Sequence, residues 1–86
     1  MAEKPLEVLT IDIEYNTEDE EHGPMYIASN DRIGLVTEGR TFEELRQNLE
    51  EALAACLEDI DTIAEYNLVP NPRVELRIPF AYGEIA

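Results

Sequence analysis

Asp12 and Glu14 are the carboxylates with the best spacing for chemistry, since they alternate along the first apolar segment and so share one side of a strand. Two-metal nuclease chemistry needs several carboxylates that converge on ions about 3.5 to 4 Å apart. The obvious further acids fall in a loop or on a helix surface, whereas Arg77 can neutralise the pair if its strand is adjacent. We favour a surface charge pair, with a protein-partner contact second and catalysis third.

Residues 18–22 bring four acids and the only histidine, His22, together in one polar stretch. Consecutive residues converge poorly on one ion, and the alternating ligands and central glycine of a calcium loop are absent. His22 also lacks a Ser or Cys nucleophile within a recognisable motif. We therefore predict a solvated loop, with no catalytic residue, no metal and no cofactor.

Three further acids, Glu58, Asp59 and Asp61, fall towards the end of a long apolar stripe. If a helix ends there, the acids oppose its dipole at a cost of a few tenths of a kcal/mol each, which favours a role in partner binding. If the helix continues to Tyr66, they are ordinary residues in its middle. Both interpretations stay open at this point.

The composition restricts the class of partner. The chain has 20 Asp and Glu against 6 Lys and Arg, a formal net charge of -14 at pH 7. Nucleic-acid backbones are bound through Lys and Arg, so we expect no direct contact with nucleic acid. A basic protein is the better electrostatic partner, although an acidic surface also serves solubility alone.

Cysteine usage and hydropathy indicate a cytoplasmic protein. Cys56 is the only cysteine, so neither an intrachain disulfide nor a thiolate metal site can form within one chain. No apolar run approaches the roughly 20 residues of a membrane span, and the N-terminus lacks a basic head followed by an apolar stretch. We expect neither membrane insertion nor export.

The elements that position these residues form one domain over residues 1–86. Alternating apolar residues predict strands over 6–15, 25–29, 33–37 and 73–80. The first strand directs Leu9, Ile11, Ile13 and Tyr15 inward, and the last directs Val74, Leu76, Ile78 and Phe80 inward. Pro79 indicates that the last strand lies at an edge or ends there.

A single long helix connects the third and fourth strands. Gly34 and Gly39 flank the third strand, and Thr41 with Glu44 forms a capping box, so the helix begins at Phe42. Its apolar stripe passes Ile60 and can be extended to about Tyr66. The predicted fold is therefore α+β: a single-layer, mainly antiparallel sheet of about four strands in the order β-β-β-α-β, with one face covered by a long amphipathic helix. The other face must meet solvent or a second copy.

The segment Gly34–Leu45, followed by Asn48 and Leu49, resembles the signature of the HicB-like antitoxin family. Together with the order of elements, the resemblance extends over roughly residues 9–80. The chain departs from the family pattern at Ile33, often proline, and at Arg40, often acidic. Many such antitoxins continue into a DNA-binding segment, and none follows here before Ala86, so we expect no operator binding.

The resemblance implies a degenerate ribonuclease-H-like fold that masks a small basic ribonuclease toxin of the HicA type. Our leading hypothesis is a non-enzymatic, homodimeric protein-binding module, with Asp12, Glu14, Glu58, Asp59 and Asp61 as candidate partner contacts. The alternative is a stand-alone oligomeric domain that binds a small ligand or serves as a scaffold. An enzyme is the third possibility.

Overall fold

The computed structural model describes residues 4–16 and 24–78. Three strands come first, namely β1 (Leu6–Asn16), β2 (Met25–Asn30) and β3 (Leu35–Gly39). They are followed by α1 (Phe42–Leu57), α2 (Thr62–Tyr66) and β4 (Leu68–Arg77). The predicted α+β class is confirmed, but two helices stand where one was expected.

The strands form one mixed sheet in the order β3-β2-β1-β4. β1 pairs antiparallel with β2, which pairs antiparallel with β3, whereas β4 lies parallel to β1. The register puts Val74 beside Leu9 and Arg77 beside Asp12. The adjacency of the first and last strands, on which the predicted charge pair depended, is therefore present.

The core lies between the sheet and α1. Its buried members come from β1, β2, the turn before β3, β3, α1 and the start of β4: Leu9, Ile11, Ile13, Ala28, Ile33, Leu35, Leu45, Leu49 and Leu68. Tyr15, predicted to point inward, is instead more than half exposed. Its ring packs on Tyr26 at a centroid distance of 4.7 Å, and the described pairing of β1 with β4 ends three residues before it, at Asp12.

Two glycines shape the connections on either side of β3. Gly34 has a φ of 64°, a left-handed conformation that favours glycine, and its N–H donates to the Asp31 carbonyl at 3.3 Å. At Gly39 the constraint is space, since a Cβ there would overlap the backbone nitrogen of Leu45 and lie 2.7 Å from its Cα. Gly39 thus lets α1 pack directly against β3.

The predicted capping box starts α1. The Thr41 hydroxyl accepts a hydrogen bond from the Glu44 N–H at 3.1 Å, and the Glu44 carboxylate accepts from the Arg40 N–H at 3.4 Å. The reciprocal bond therefore reaches one residue further back than a standard capping box. Asn48 donates from Nδ2 to the Glu38 carbonyl at 2.7 Å, which ties the helix to β3.

Of the two interpretations left open by the sequence, the helix that continues to Tyr66 is wrong, because α1 ends at Leu57. The Glu58 N–H still bonds to the Ala54 carbonyl, but Asp59 then adopts a left-handed conformation with a φ of 60°. Asp61 begins α2 by accepting a hydrogen bond from the Ala64 N–H at 3.1 Å. An Asp at this position stabilises a new helix start more than a continued helix.

The fourth strand begins at Leu68, five residues before the predicted start at Arg73. The register places Val74 and Leu76 on the core face as predicted, yet they and Ile78 remain more than a third exposed, so their predicted burial is wrong. Phe80 lies outside the described residues. Within residues 4–16 and 24–78, no helix is long and apolar enough to cross a lipid bilayer.

Candidate functional site

An open groove of about 370 Å³ lies between the second half of α1, the α1–α2 connection and β4. We call it the α1–β4 groove. Its apolar lining comes from all three elements: Leu53, Leu57, Ile60, Pro70, Pro72 and Val74. The groove is a recess on the core face of the sheet, next to the end of α1 at Leu57.

The groove exists because the two helices divide the sheet unequally. α1 packs mainly against β3, whereas the five-residue α2 packs against β4. Leu9 and Ile11 of β1 are 1% and 0% exposed, whereas their neighbours in the register, Val74 and Leu76, are 38% and 39% exposed. Apolar side chains on the same face therefore remain available to a partner.

Two carboxylates line the groove, and they differ in their partners. Glu50 pairs with Arg46 at 2.8 Å, and Arg46 also pairs with Glu43 at 2.8 Å. The hydrogen bond and the charge of Glu43, followed by the charge of Glu50, raise the pKa of the Arg46 guanidinium. Glu58 is exposed and has no ion pair within the described part of the chain.

Thr62, at the start of α2, is the polar residue of the groove that stands out. It is 5% exposed, and its hydroxyl has no hydrogen-bond partner within the described ranges. Buried hydroxyls are nearly always paired, and an unpaired one costs about 1 to 3 kcal/mol. One residue that lines the groove thus holds a buried hydroxyl whose bonding capacity is unused among the described residues.

The predicted pair on the other face of the sheet is formed. Arg77 donates from Nε to the Asp12 carboxylate at 2.7 Å, with both side chains at least half exposed. Glu14 is exposed on the same face, and Arg73 pairs with Glu75 at 3.3 Å. This geometry fits the surface charge pair that we favoured.

The five acids predicted as partner contacts do not form one site. Asp12 and Glu14 lie on the outer sheet face, Glu58 lines the groove, and Asp59 and Asp61 shape the α1–α2 connection. Asp61 is occupied as the cap of α2, so its carboxylate has a structural role that the sequence interpretation missed.

Metal-ligating side chains do not cluster in the part of the chain that the structure describes: no group of three or more His, Cys, Asp or Glu is placed to hold an ion there. The acidic stretch at residues 18–22, which we predicted to be a loop without metal, lies outside the described residues. Cys56 is half-buried beside the core, where it acts as a small apolar side chain.

Comparison with known proteins finds no family model, no curated protein and no solved structure with significant similarity to this chain. The resemblance to HicB-like antitoxins therefore stays a prediction, which rests on the segment Gly34–Leu45 and the order of the elements. The function has to be argued from the groove and the charge.

The apolar residues of the groove carried a signal that sequence analysis interpreted differently. Leu53, Leu57 and Val74 fit the apolar periodicities of their elements, and we therefore assigned them to the core. Periodicity identifies the face on which a residue lies, but it does not show whether another element covers that face. Thr62 gave no signal at all, because an isolated threonine is ordinary in any helix start.

Proposed function

We propose that the protein is a non-catalytic binding module that engages and masks a small basic ribonuclease of the HicA type. One observation carries the proposal: an apolar groove lined in part by acids, on a chain with a net charge of -14. Apolar contact area supplies affinity, while the acids select a basic partner and disfavour an acidic one.

The acidic surplus is not neutralised within the protein. Arg46, Arg73 and Arg77 are already paired with carboxylates of the same chain, and Arg32 donates to the Tyr66 carbonyl at 3.0 Å. Most carboxylates in the described part of the chain therefore have no ion pair there. A basic protein would be attracted by this field, which raises its association rate at low ionic strength.

Masking a ribonuclease by charge has a simple physical basis. An enzyme that binds RNA presents Lys and Arg to phosphates, and carboxylates can occupy the same positions. We place this activity in the cytoplasm, where a single unpaired cysteine stays reduced. We also propose a homodimer, since the described chain has no helix over the outer sheet face.

The direct test is co-expression with a small basic HicA-like ribonuclease encoded by an adjacent gene. We expect relief of its toxicity and a complex that co-purifies at low salt and weakens as salt screens the charges. Catalytically inactive ribonuclease, with its basic surface intact, is the matched control and should bind equally. If neither complex nor relief of toxicity is found, the proposal is wrong.

The groove also supports a second candidate, a stand-alone domain that binds a small molecule or serves as a scaffold. Its volume of about 370 Å³ lies at the lower end of the range for small-molecule sites. A fragment screen by NMR would distinguish the candidates. Fragments that perturb Leu57 and Val74, in a protein that binds no basic ribonuclease, would favour this alternative.

A further inference from the structure

We infer that the α1–β4 groove is a docking site for a basic protein segment that carries one or two large apolar side chains. The apolar side chains enter between Leu57 and Val74, and a flanking Lys or Arg side chain meets Glu58, the groove carboxylate without an ion pair among the described residues. The inference deepens the proposed function by naming the surface and the chemistry of the segment that it binds.

The apolar half of the argument comes from the uncovered side chains. Ile60 and Val74 line the groove and are 41% and 38% exposed, and Leu53 and Leu57 are partly buried beside them. The recess is too small for a whole helix or strand, but it accommodates a few side chains. Interfaces are commonly anchored by one or two large apolar residues in such a recess.

The charges decide between occupants. A second copy of this chain that docked through the same groove would bring its own groove carboxylates against Glu50 and Glu58. Like charges across an interface oppose association, whereas Lys or Arg beside an apolar anchor would be attracted. The groove is therefore suited to a basic partner and unsuited to self-association.

Thr62 supplies an independent observation in favour of a polypeptide ligand. Thr62 is one of the residues that line the groove, and its hydroxyl is buried without a partner within the residues described. A peptide brings backbone N–H and C=O groups alongside its side chains, and either can pair with a hydroxyl. Binding would then satisfy a group that the free protein leaves unpaired.

The experiment uses the full chain and a synthetic probe, an amphipathic peptide of about 18 residues made of Leu and Lys at helical spacing. Binding is measured by calorimetry, and the site is mapped by amide chemical shifts. We expect the largest shifts at Leu53, Leu57, Ile60 and Val74, and little change on the outer sheet face.

Two valines on opposite faces provide a matched pair of variants. Val74→Asp puts a charge into the groove, and Val36→Asp makes the same change on the outer face, where Val36 is 74% exposed. We expect Val74→Asp to weaken peptide binding at least about tenfold, and Val36→Asp to change it less than about twofold. Both positions are exposed enough for folding to persist, which circular dichroism would verify. Ile60→Asp is a second groove variant, in the α1–α2 connection.

Charge reversal provides an independent comparison. Glu58→Lys should weaken peptide binding several-fold and reduce its dependence on salt. Glu38→Lys, which makes the same change on the outer face, should have a much smaller effect. Equal effects of the two variants would mean that only net charge attracts the peptide, and the assignment of the groove would be overturned.

The outcomes separate this inference from the proposed function. A ribonuclease complex that is unaffected by Val74→Asp would overturn the groove assignment and leave the function standing. Peptide binding that Val74→Asp abolishes, without any ribonuclease complex, would retain the groove and overturn the function. A dimer that Val74→Asp dissociates would assign the groove to a second copy, which contradicts the inference.

Discussion

The apolar face of the sheet extends from β3 at one edge to β4 at the other, but α1 packs closely only on the part near β3. We call these two parts the β3 side and the β4 side. At the β3 side, Leu35 is buried under a helix that approaches the backbone of Gly39 directly. At the β4 side, Val74 and Leu76 continue the same face with more than a third of their surface exposed. A 16-residue helix, about 24 Å long, closes one side and leaves the other open.

This difference separates the residues that hold the fold from those that are free to bind. Gly39, Leu45 and Leu49 lie where the helix meets the sheet, so changes there should act on stability. Val74, Ile60 and Glu58 lie where cover is missing, so changes there should act on binding with little effect on stability. Each of the following experiments tests whether that separation holds.

The largest effect is expected at Gly39. Gly39→Val would place a branched side chain against the backbone of Leu45, and only movement of the whole helix would make room. We expect a loss of about 4 kcal/mol or more in the free energy of unfolding, enough to abolish folding of many small domains. Urea denaturation followed by circular dichroism measures it.

Gly34→Ala is the matched control for that experiment, since a Cβ at Gly34 would meet nothing within 4 Å. Its cost should come from the left-handed backbone alone, at about 1 kcal/mol. If the two variants lost equal stability, close approach of α1 to β3 would not be what fixes the helix.

The second experiment truncates one apolar side chain on each side of the face. Leu45→Ala removes a side chain that is 1% exposed, and we expect a loss of about 3 kcal/mol from the cavity and the lost burial. Val74→Ala should cost less than about 1 kcal/mol, because Val74 is already partly hydrated. Equal losses in the free energy of unfolding, measured by urea denaturation, would show that Val74 is buried in solution.

The β3 side was predictable from the sequence because its determinants are local. Thr41 and Glu44 lie three residues apart, as a capping box requires, and Gly34 occurs in a turn that needs a positive φ. The Asp12–Arg77 pair was also predictable, since alternation along two adjacent strands puts both side chains on one face. Each of these follows from spacing and hydrogen-bonding chemistry.

The β4 side was not predictable, because its determinants depend on where a helix stops. Ile60 and Ile63 continue the spacing of the apolar stripe, so the stripe gives no sign that Asp59 turns into a left-handed conformation. Nothing in the alternation of Val74 and Leu76 shows that no helix covers them. The groove therefore became visible only when the end of α1 and the position of β4 were known together.

The third experiment compares the two helix N-caps, in each of which a side-chain oxygen accepts a hydrogen bond from a backbone N–H. The cap of α1 lies on the β3 side, and the cap of α2 lies on the β4 side. Thr41→Ala removes the cap of α1 and should cost about 1 kcal/mol of global stability. Asp61→Ala removes the cap of α2, a helix of five residues with little propensity to persist alone. We expect α2 to open locally, with faster hydrogen exchange at Ala64.

Global unfolding is the control for that comparison. Thr41→Ala should lower the urea midpoint, whereas Asp61→Ala should change it much less while exchange at Ala64 accelerates. An Asp61→Ala variant with a large drop in midpoint and no local opening would show that α2 and α1 unfold as one unit.

The fourth experiment concerns the unpaired hydroxyl on the β4 side. Thr62→Val keeps the shape of the side chain and removes a buried group that has no partner among the described residues. We expect unchanged stability or a gain of up to about 1 kcal/mol, together with weaker peptide binding. A loss of stability above about 1 kcal/mol would mean that the hydroxyl is bonded in solution, and its role in the groove would fail.

The smallest effect is expected on the outer face, where the Asp12–Arg77 ion pair joins β4 to β1. Because little of α1 packs on β4, this ion pair could stabilise the attachment of β4 to the sheet. The experiment measures how much it contributes. Exposed ion pairs contribute about 0.2 to 1 kcal/mol and are screened by salt. A double-mutant cycle of Asp12→Asn and Arg77→Gln should therefore give a coupling energy of about 0.5 kcal/mol that falls in 1 M salt. A coupling energy of about 2 kcal/mol that persists in 1 M salt would contradict this expectation. It would show that electrostatics stabilises β4 about as strongly as packing stabilises β3. The two sides of the sheet would then differ in the type of interaction and not in its strength.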